Sequence, residues 1–414
     1  MRPAFHFVAE SGWINDPHGI TVKDGQYHLF YQYVPDSTIW APNCHWGHAR
    51  GSDLFSLEQL PVAIEPGDGD EGIWTGSLVT DDNGDTRIFY TSTAQPNIGI
   101  GRIRVASPVD TSWIEWQKGD FVADAPSGLD IVAFRDPFLV KESTGWRMFV
   151  GAGSSDGTAM ALSYSSADLD AWEYEGVALQ RSTDDREPVW LGALWECPQI
   201  FDIDGRHLMV SSVWDDDVLH YAGYAVGSYA DGRFEAGSWG RLTYGPSYYA
   251  PSFFRDAQGR PCLTFWMRGI ADPDSGWASA HSVPHVLSLK ENRLVATPHP
   301  DLEKYRSPAS DGGDLPGLSG DIVWSPSTGE SLRVTSAGKN VFVLDVDSQN
   351  LIAKTEAETF DVPYLGGDVR IILDAQAIEV SSTWGILAFA AAPEGPTYSV
   401  DALDATIYPL DPRG

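Results

Sequence analysis

The chain has 414 residues, 43% of them hydrophobic, enough to bury a large core and to build two domains. Its formal net charge of −31 repels phosphate backbones and anionic lipid surfaces, so nucleic acid and membrane are not expected as partners and a neutral substrate fits best. Cys44, Cys197 and Cys262 form neither a CxxC pair nor a disulfide framework, the first residues contain no apolar signal core, and no apolar run is long enough to span a bilayer, so a reducing, cytoplasmic setting is expected.

The first predicted element is a strand–turn–strand unit, WINDPHGITVKDGQYHLFYQ, with Gly25 at its turn. Four more units follow: IWTGSLVTDDNGDTRIFYTS around Gly84, FRDPFLVKESTGWRMFVGAG around Gly145, WECPQIFDIDGRHLMVSSVW around Gly205 and YYAPSFFRDAQGRPCLTFWM around Gly259. Asp16, Gly76, Asp136, Glu196 and Ala250 hold matching positions, the first four about 60 residues apart and the last step about 54. Further β-rich stretches such as GIGRIRVASP and AMALSYSSA lie between the units, so each period has room for four short strands, one blade of a propeller. The expectation is an all-β protein: a five-bladed β-propeller over residues 1–295, a Pro/Gly/Asp-rich linker at 296–318 with a short helix near PDLEKYR, and a small β-sandwich over 319–414. Asp374 and Glu379, in the sandwich, read as turn and strand-face residues.

In a propeller, equivalent positions sit at one height around the axis. Asp16, Asp136 and Glu196 should therefore converge on one mouth of the channel, where crowding raises at least one carboxyl pKa. Glycosidic hydrolysis needs two carboxyl groups in different protonation states, and a third can stabilise positive charge on the sugar. The repeat leaves the roles open, and the neighbours favour an assignment. Trp195 and Cys197-Pro198 would desolvate Glu196 and suit it to donate a proton. Asn15 would keep Asp16 ionised, as a nucleophile must be. Arg135 would lower the pKa of Asp136 and keep it a permanently ionised stabiliser.

These residues resemble those of the glycoside hydrolase family 32 β-fructofuranosidases, the invertases, inulinases and levanases. WINDPHG at 13–19 is similar to that family's WMNDPNG box, FRDP at 134–137 to its RDP box, and WECP at 195–198 to its EC box. FYQY at 30–33, HWGHA at 45–49, WTGS at 74–77, FWM around Trp266 and GWASAHSVP at 276–284 also match. The resemblance implies a propeller followed by a sandwich, and a retaining mechanism with Asp16 as nucleophile, Glu196 as acid/base and Asp136 as transition-state stabiliser. It further implies that Asn15, Gln32, Ser77 and Arg135 bond fructose hydroxyls and that Trp40, Trp46, Trp74 and Trp266 wall the furanose ring. His18, Val34, Gln199 and Ser247 depart from the family pattern and are expected at the pocket rim, where they would bear on substrate preference.

No cofactor is expected. TDDNGDTR at 80–87 lacks the closing Glu of a calcium loop, and His45 and His48 lack a matching ligand set, so no metal site is assigned. The expected reaction is release of fructose from sucrose or short fructo-oligosaccharides through a covalent fructosyl intermediate. A fructosyltransferase using that intermediate is the alternative, and an inverting arabinan or arabinoside hydrolase ranks below both. A catalytically silent sugar-binding protein is the remaining class, which the three intact acids argue against. Oligomeric state and linkage preference are left open by the sequence.

Overall fold

The computed structural model describes residues 1–310 and 313–413. Asp311 and Gly312, inside the expected linker, lie outside the described residues.

Five blades surround a central channel. Their innermost strands are Gly12–Lys23, Gly72–Thr80, Ile131–Glu142, Leu194–Ile203 and Tyr248–Arg255. The second, third and fourth blades are separate four-stranded antiparallel sheets. The fifth is joined to the first through Trp277–His281, whose residues Trp277 and Ala278 pair in parallel with Gly12 and Trp13 and close the ring. The turn glycines act as expected. Asp24 and Gly25 have φ of 52° and 75°, as do Asp204 and Gly205 at 50° and 76°, the left-handed pair that a tight hairpin with twisted strands requires. Aromatic residues fill the seams between blades: Phe89 and Phe134 between the second and third, Phe149 and Trp195 between the third and fourth. Burying such a side chain contributes roughly 1.5–3 kcal/mol relative to exposure.

The last blade strand is Arg293–Pro298, and the expected short helix is a 3-10 segment at Pro300–Tyr305. No helix among the described residues is long and apolar enough to cross a membrane. Beyond lies a sandwich of two six-stranded sheets, one of which borrows Thr243–Tyr244 from the end of the fourth blade.

Asp374 ends the Val369–Asp374 strand at a turn and Glu379 lies within the Ala377–Ser382 strand, as the sequence suggests, but both side chains are buried and engaged. Both are 1% exposed and clasp the N-terminal segment, because the backbone N–H groups of Ala4, Phe5 and His6 all donate to Asp374. His6 bridges the two acids, with Nδ1 2.8 Å from Asp374 and Nε2 2.6 Å from Glu379. The Tyr248 hydroxyl and the Val283 N–H, both from the propeller, also donate to Glu379. Despite the burial of its ring, the two carboxylates raise the His6 pKa to about 9.

Candidate active site

All five innermost strands break register at the repeated position. The ladder skips between Ile14 and Pro17, between Trp74 and Gly76, between Glu196 and Gln199 and between Tyr249 and Ser252, and in the third blade opposite Phe149 and Gly151. Each is a β-bulge, which re-aims side chains at a strand end. In the third, fourth and fifth blades the extra pair is Asp136-Pro137, Cys197-Pro198 and Ala250-Pro251, and its first member has φ of 66°, 49° and 46°. Cys197, not Glu196, is therefore the register equivalent of Asp136, which corrects the phase read from the repeat. Glu196 lies one residue earlier, in a row with Arg135 and Tyr249.

That offset explains the contacts. Arg135 Nε and Nη2 donate to Glu196 Oε1 at 3.0 and 2.9 Å, and the Tyr249 hydroxyl donates to Oε2 at 2.6 Å. In the other row the Cys197 N–H donates to Asp136 Oδ2 at 2.9 Å, and Cys197 Sγ lies 3.6 Å from Asp16 and 3.7 Å from Asp136. Asp16 accepts from Asn15 Nδ2 at 3.0 Å, Gln32 Nε2 at 3.2 Å and the Thr75 hydroxyl at 2.7 Å. The three acids thus meet around Cys197.

The electrostatics differ from the sequence expectation. Burial pushes Asp136 up to about 8, opposed by Arg135 and reinforced by the charges of Glu196 and Asp16. Arg135 does not hold Asp136 ionised, because its guanidinium is bonded to Glu196. Burial likewise raises Asp16, against the Thr75 and Asn15 hydrogen bonds and with the Glu196 charge adding to the effect. Burial, then the charges of Asp136, Asp16 and Glu196, keeps the Cys197 thiol protonated. The cluster therefore holds a proton at neutral pH, on Asp136. Trp195 does not desolvate Glu196: its ring points into the seam between blades and donates to the Leu191 carbonyl.

Above the acids opens a pocket of about 770 Å³ with largely apolar walls. Asn15, Asp16, Gln32, Trp40, Trp74, Arg135, Glu196 and Trp266 line it, while Asp136 lies just beneath, 4% exposed. Trp46 and Ser77 do not line it. Trp46 is fully buried, donating to the Trp74 carbonyl, with the His18 ring at 3.9 Å. The extra residue of the second bulge turns Thr75 toward Asp16 and leaves Ser77 facing the next blade, where it accepts the Leu139 N–H. Sequence reasoning missed Thr75 and the pocket-lining Trp13, Trp214, Asp217, Leu219 and Tyr249. Of these, Trp13 and Tyr249 stand beside recognised motifs, whereas the loop around Asp217 carries no motif. His18, Val34, Gln199 and Ser247 are all buried and none lines the pocket; Gln199 ties the fourth blade to the fifth by bonding the backbone of Pro251 and Phe253.

Among the described residues, Asp256, Cys262 and His299 are close enough to hold a metal ion. Asp256 is already taken up by Arg260 at 2.5 Å, His299 at 3.0 Å and the N–H groups of Gln258 and Arg260, the pattern of an ion pair that locks a turn.

The family model described as the glycosyl hydrolases family 32 N-terminal domain matches residues 6–298. A sucrose-6-phosphate hydrolase of Zymomonas mobilis is 33% identical over 328 residues, covering 73% of this chain and 63% of that protein. The levanase of Bacillus subtilis is 32% identical over 453 residues, covering 92% and 64%. The chain therefore aligns with a little under two thirds of the length of both. Among solved structures, a Bombyx mori β-fructofuranosidase mutant in complex with sucrose superposes with a TM-score of 0.85 at 24% identity, covering 99% of this chain and 94% of that one. Fructan 1-exohydrolase IIa of Cichorium intybus gives 0.83 at 20%, covering 99% and 97%. These likenesses share the propeller-and-sandwich fold.

Proposed function

The chain belongs to glycoside hydrolase family 32, and from that premise we propose that it releases fructose from unphosphorylated β-fructofuranosides such as sucrose and short fructo-oligosaccharides, with retention of configuration. The observation that carries the reading is the convergence of Asp16, Asp136 and Glu196 around Cys197 at the base of one apolar-walled pocket.

Asp16 attacks the anomeric carbon to form a fructosyl ester, Glu196 protonates the departing oxygen, and water activated by Glu196 then opens the ester. Because Glu196 Oε1 already accepts two Arg135 N–H groups, the transferable proton sits on Oε2, and the Tyr249 hydroxyl must turn from donor to acceptor when it arrives. On substrate binding Asp136 releases its proton to solvent, from which Glu196 takes up its own, and the Asp136 carboxylate then accepts sugar hydroxyls beside the positive charge developing on the ring. Among the described residues lining the pocket Arg135 is the one cation, and Glu196 occupies it. Asp217 adds a further acid to the lining, so a phosphate on the leaving sugar meets repulsion.

The test is incubation with sucrose, sucrose 6-phosphate, kestose, inulin and levan, followed by identification of the released sugars. Free fructose from sucrose at a kcat/KM above that for sucrose 6-phosphate is expected. Faster cleavage of the phosphorylated sugar would refute the substrate reading, and unchanged hydrolysis by Asp16→Ala would refute the mechanism.

A further inference from the structure

Asn15 and Asp16 occupy the bulge of the Gly12–Lys23 strand, where ladder pairing jumps from Ile14 to Pro17. A bulge leaves backbone groups without ladder partners, so the aim of the Asp16 carboxyl depends on whatever else grips that peptide. His281 grips it. Its ring is 2% exposed, and Nε2 lies 2.7 Å from the Asn15 carbonyl oxygen. A carbonyl only accepts, so Nε2 carries the proton and a neutral imidazole donates. Burial lowers that imidazole to about 4, which keeps it neutral through the working range. The ring is fixed in turn: its own backbone N–H donates to the Phe7 carbonyl at 2.8 Å, Phe7 stacks on it at 5.6 Å, and Tyr31 meets it edge-on at 5.7 Å. His281 does not line the pocket.

We infer that His281 is a positioning residue, whose Nε2–H holds the Asn15 carbonyl and thereby aims the Asp16 carboxylate at the anomeric carbon. This rests on Asp16 being the nucleophile. Rotation of the Asn15–Asp16 peptide carries the carboxylate with it, and misplacement of a reacting group by about 1 Å costs on the order of 10²-fold in rate.

Steady-state kinetics on sucrose test this, with wild type, His281→Leu and His281→Gln compared alongside thermal unfolding. Leu keeps the volume and loses the donor; Gln keeps an N–H that reaches the same carbonyl. The expected result is a kcat lower by roughly 10- to 100-fold in H281L with KM changed less than about 3-fold, and recovery in H281Q to within about 5-fold of wild type. If H281L does not fold, His281→Met takes its place in the same comparison. Wild-type kcat in H281L, or H281Q falling as far as H281L while both remain folded, overturns the positioning role alone. A wild-type protein that releases no fructose from any fructoside overturns the reading of Asp16 and the positioning role with it.

Discussion

Replacing Asp136 by Asn should make the protein more stable while removing most of its activity. The Asp136 carboxyl rises from 3.8 to about 8, first through burial. A folded state that binds this proton more tightly than the unfolded chain has its full contribution to stability below about pH 4, and loses it as the pH climbs to about 8. Each pH unit in that window costs about 1.4 kcal/mol. Between pH 5 and pH 7 the wild type should lose about 2–3 kcal/mol that the variant keeps, since Asn is neutral throughout and can still accept the Cys197 N–H. Asn also tolerates the left-handed backbone at this position better than most residues, where φ is 66°. For a chain of this length that difference corresponds to a widening of the Tm gap by about 2–3 °C. The assay is thermal unfolding of both proteins at pH 5, 6, 7 and 8. Hydrolysis by the variant should fall roughly 10²-fold or more through loss of charge stabilisation. A Tm difference that stays constant across the series, or that favours the wild type more at pH 8 than at pH 5, would refute the reasoning.

The buried clasp follows the same sign in a higher pH window. His6 is raised from 6.5 to about 9, so its contribution is complete below pH 6.5 and vanishes as the pH rises through 9; urea midpoints at pH 7 and pH 10 should show wild type losing up to about 3 kcal/mol that His6→Gln does not have to lose. Glu196→Gln should lower kcat on sucrose by about 10²–10⁴-fold and do far less damage on a fructoside whose leaving group needs no proton, as measured with an aryl or fluoride substrate. Gly76→Ala should fail to fold or lose at least about 2–3 kcal/mol, read by soluble yield and Tm, because the new Cβ would sit 1.9 Å from the Phe89 carbonyl oxygen.

Much of the fold was legible because its determinants are local. A hairpin needs left-handed residues at its tip, and Asp24-Gly25 and Asp204-Gly205 supply them in the sequence. The limit appears one level up, at register. A repeat counted on acids puts Glu196 level with Asp136, whereas the ladder puts Cys197 there. The prolines would have given the right phase. Proline cannot donate to a ladder and is tolerated inside a strand at a bulge, and Pro137, Pro198 and Pro251 each follow the left-handed bulge residue.

Register also decides what charge alone could not. Chain adjacency pairs Arg135 with Asp136, but successive residues on a strand point to opposite sides, so the guanidinium crosses to Glu196 on the neighbouring blade and Asp136 is left to burial. The same offset gives the site two rows, to which the proposed mechanism assigns different work. The row of Arg135, Glu196 and Tyr249 holds a carboxyl by hydrogen bonds on both oxygens, which suits a group that must keep one orientation while passing a proton twice. The row of Asp136 and Cys197, facing Asp16, crowds two carboxyls against a thiol whose pKa burial raises, which makes an electron-rich floor that a developing positive charge would relieve. One inserted residue in each of two adjacent strands keeps the two rows apart, and under the proposed mechanism it separates proton transfer from charge stabilisation.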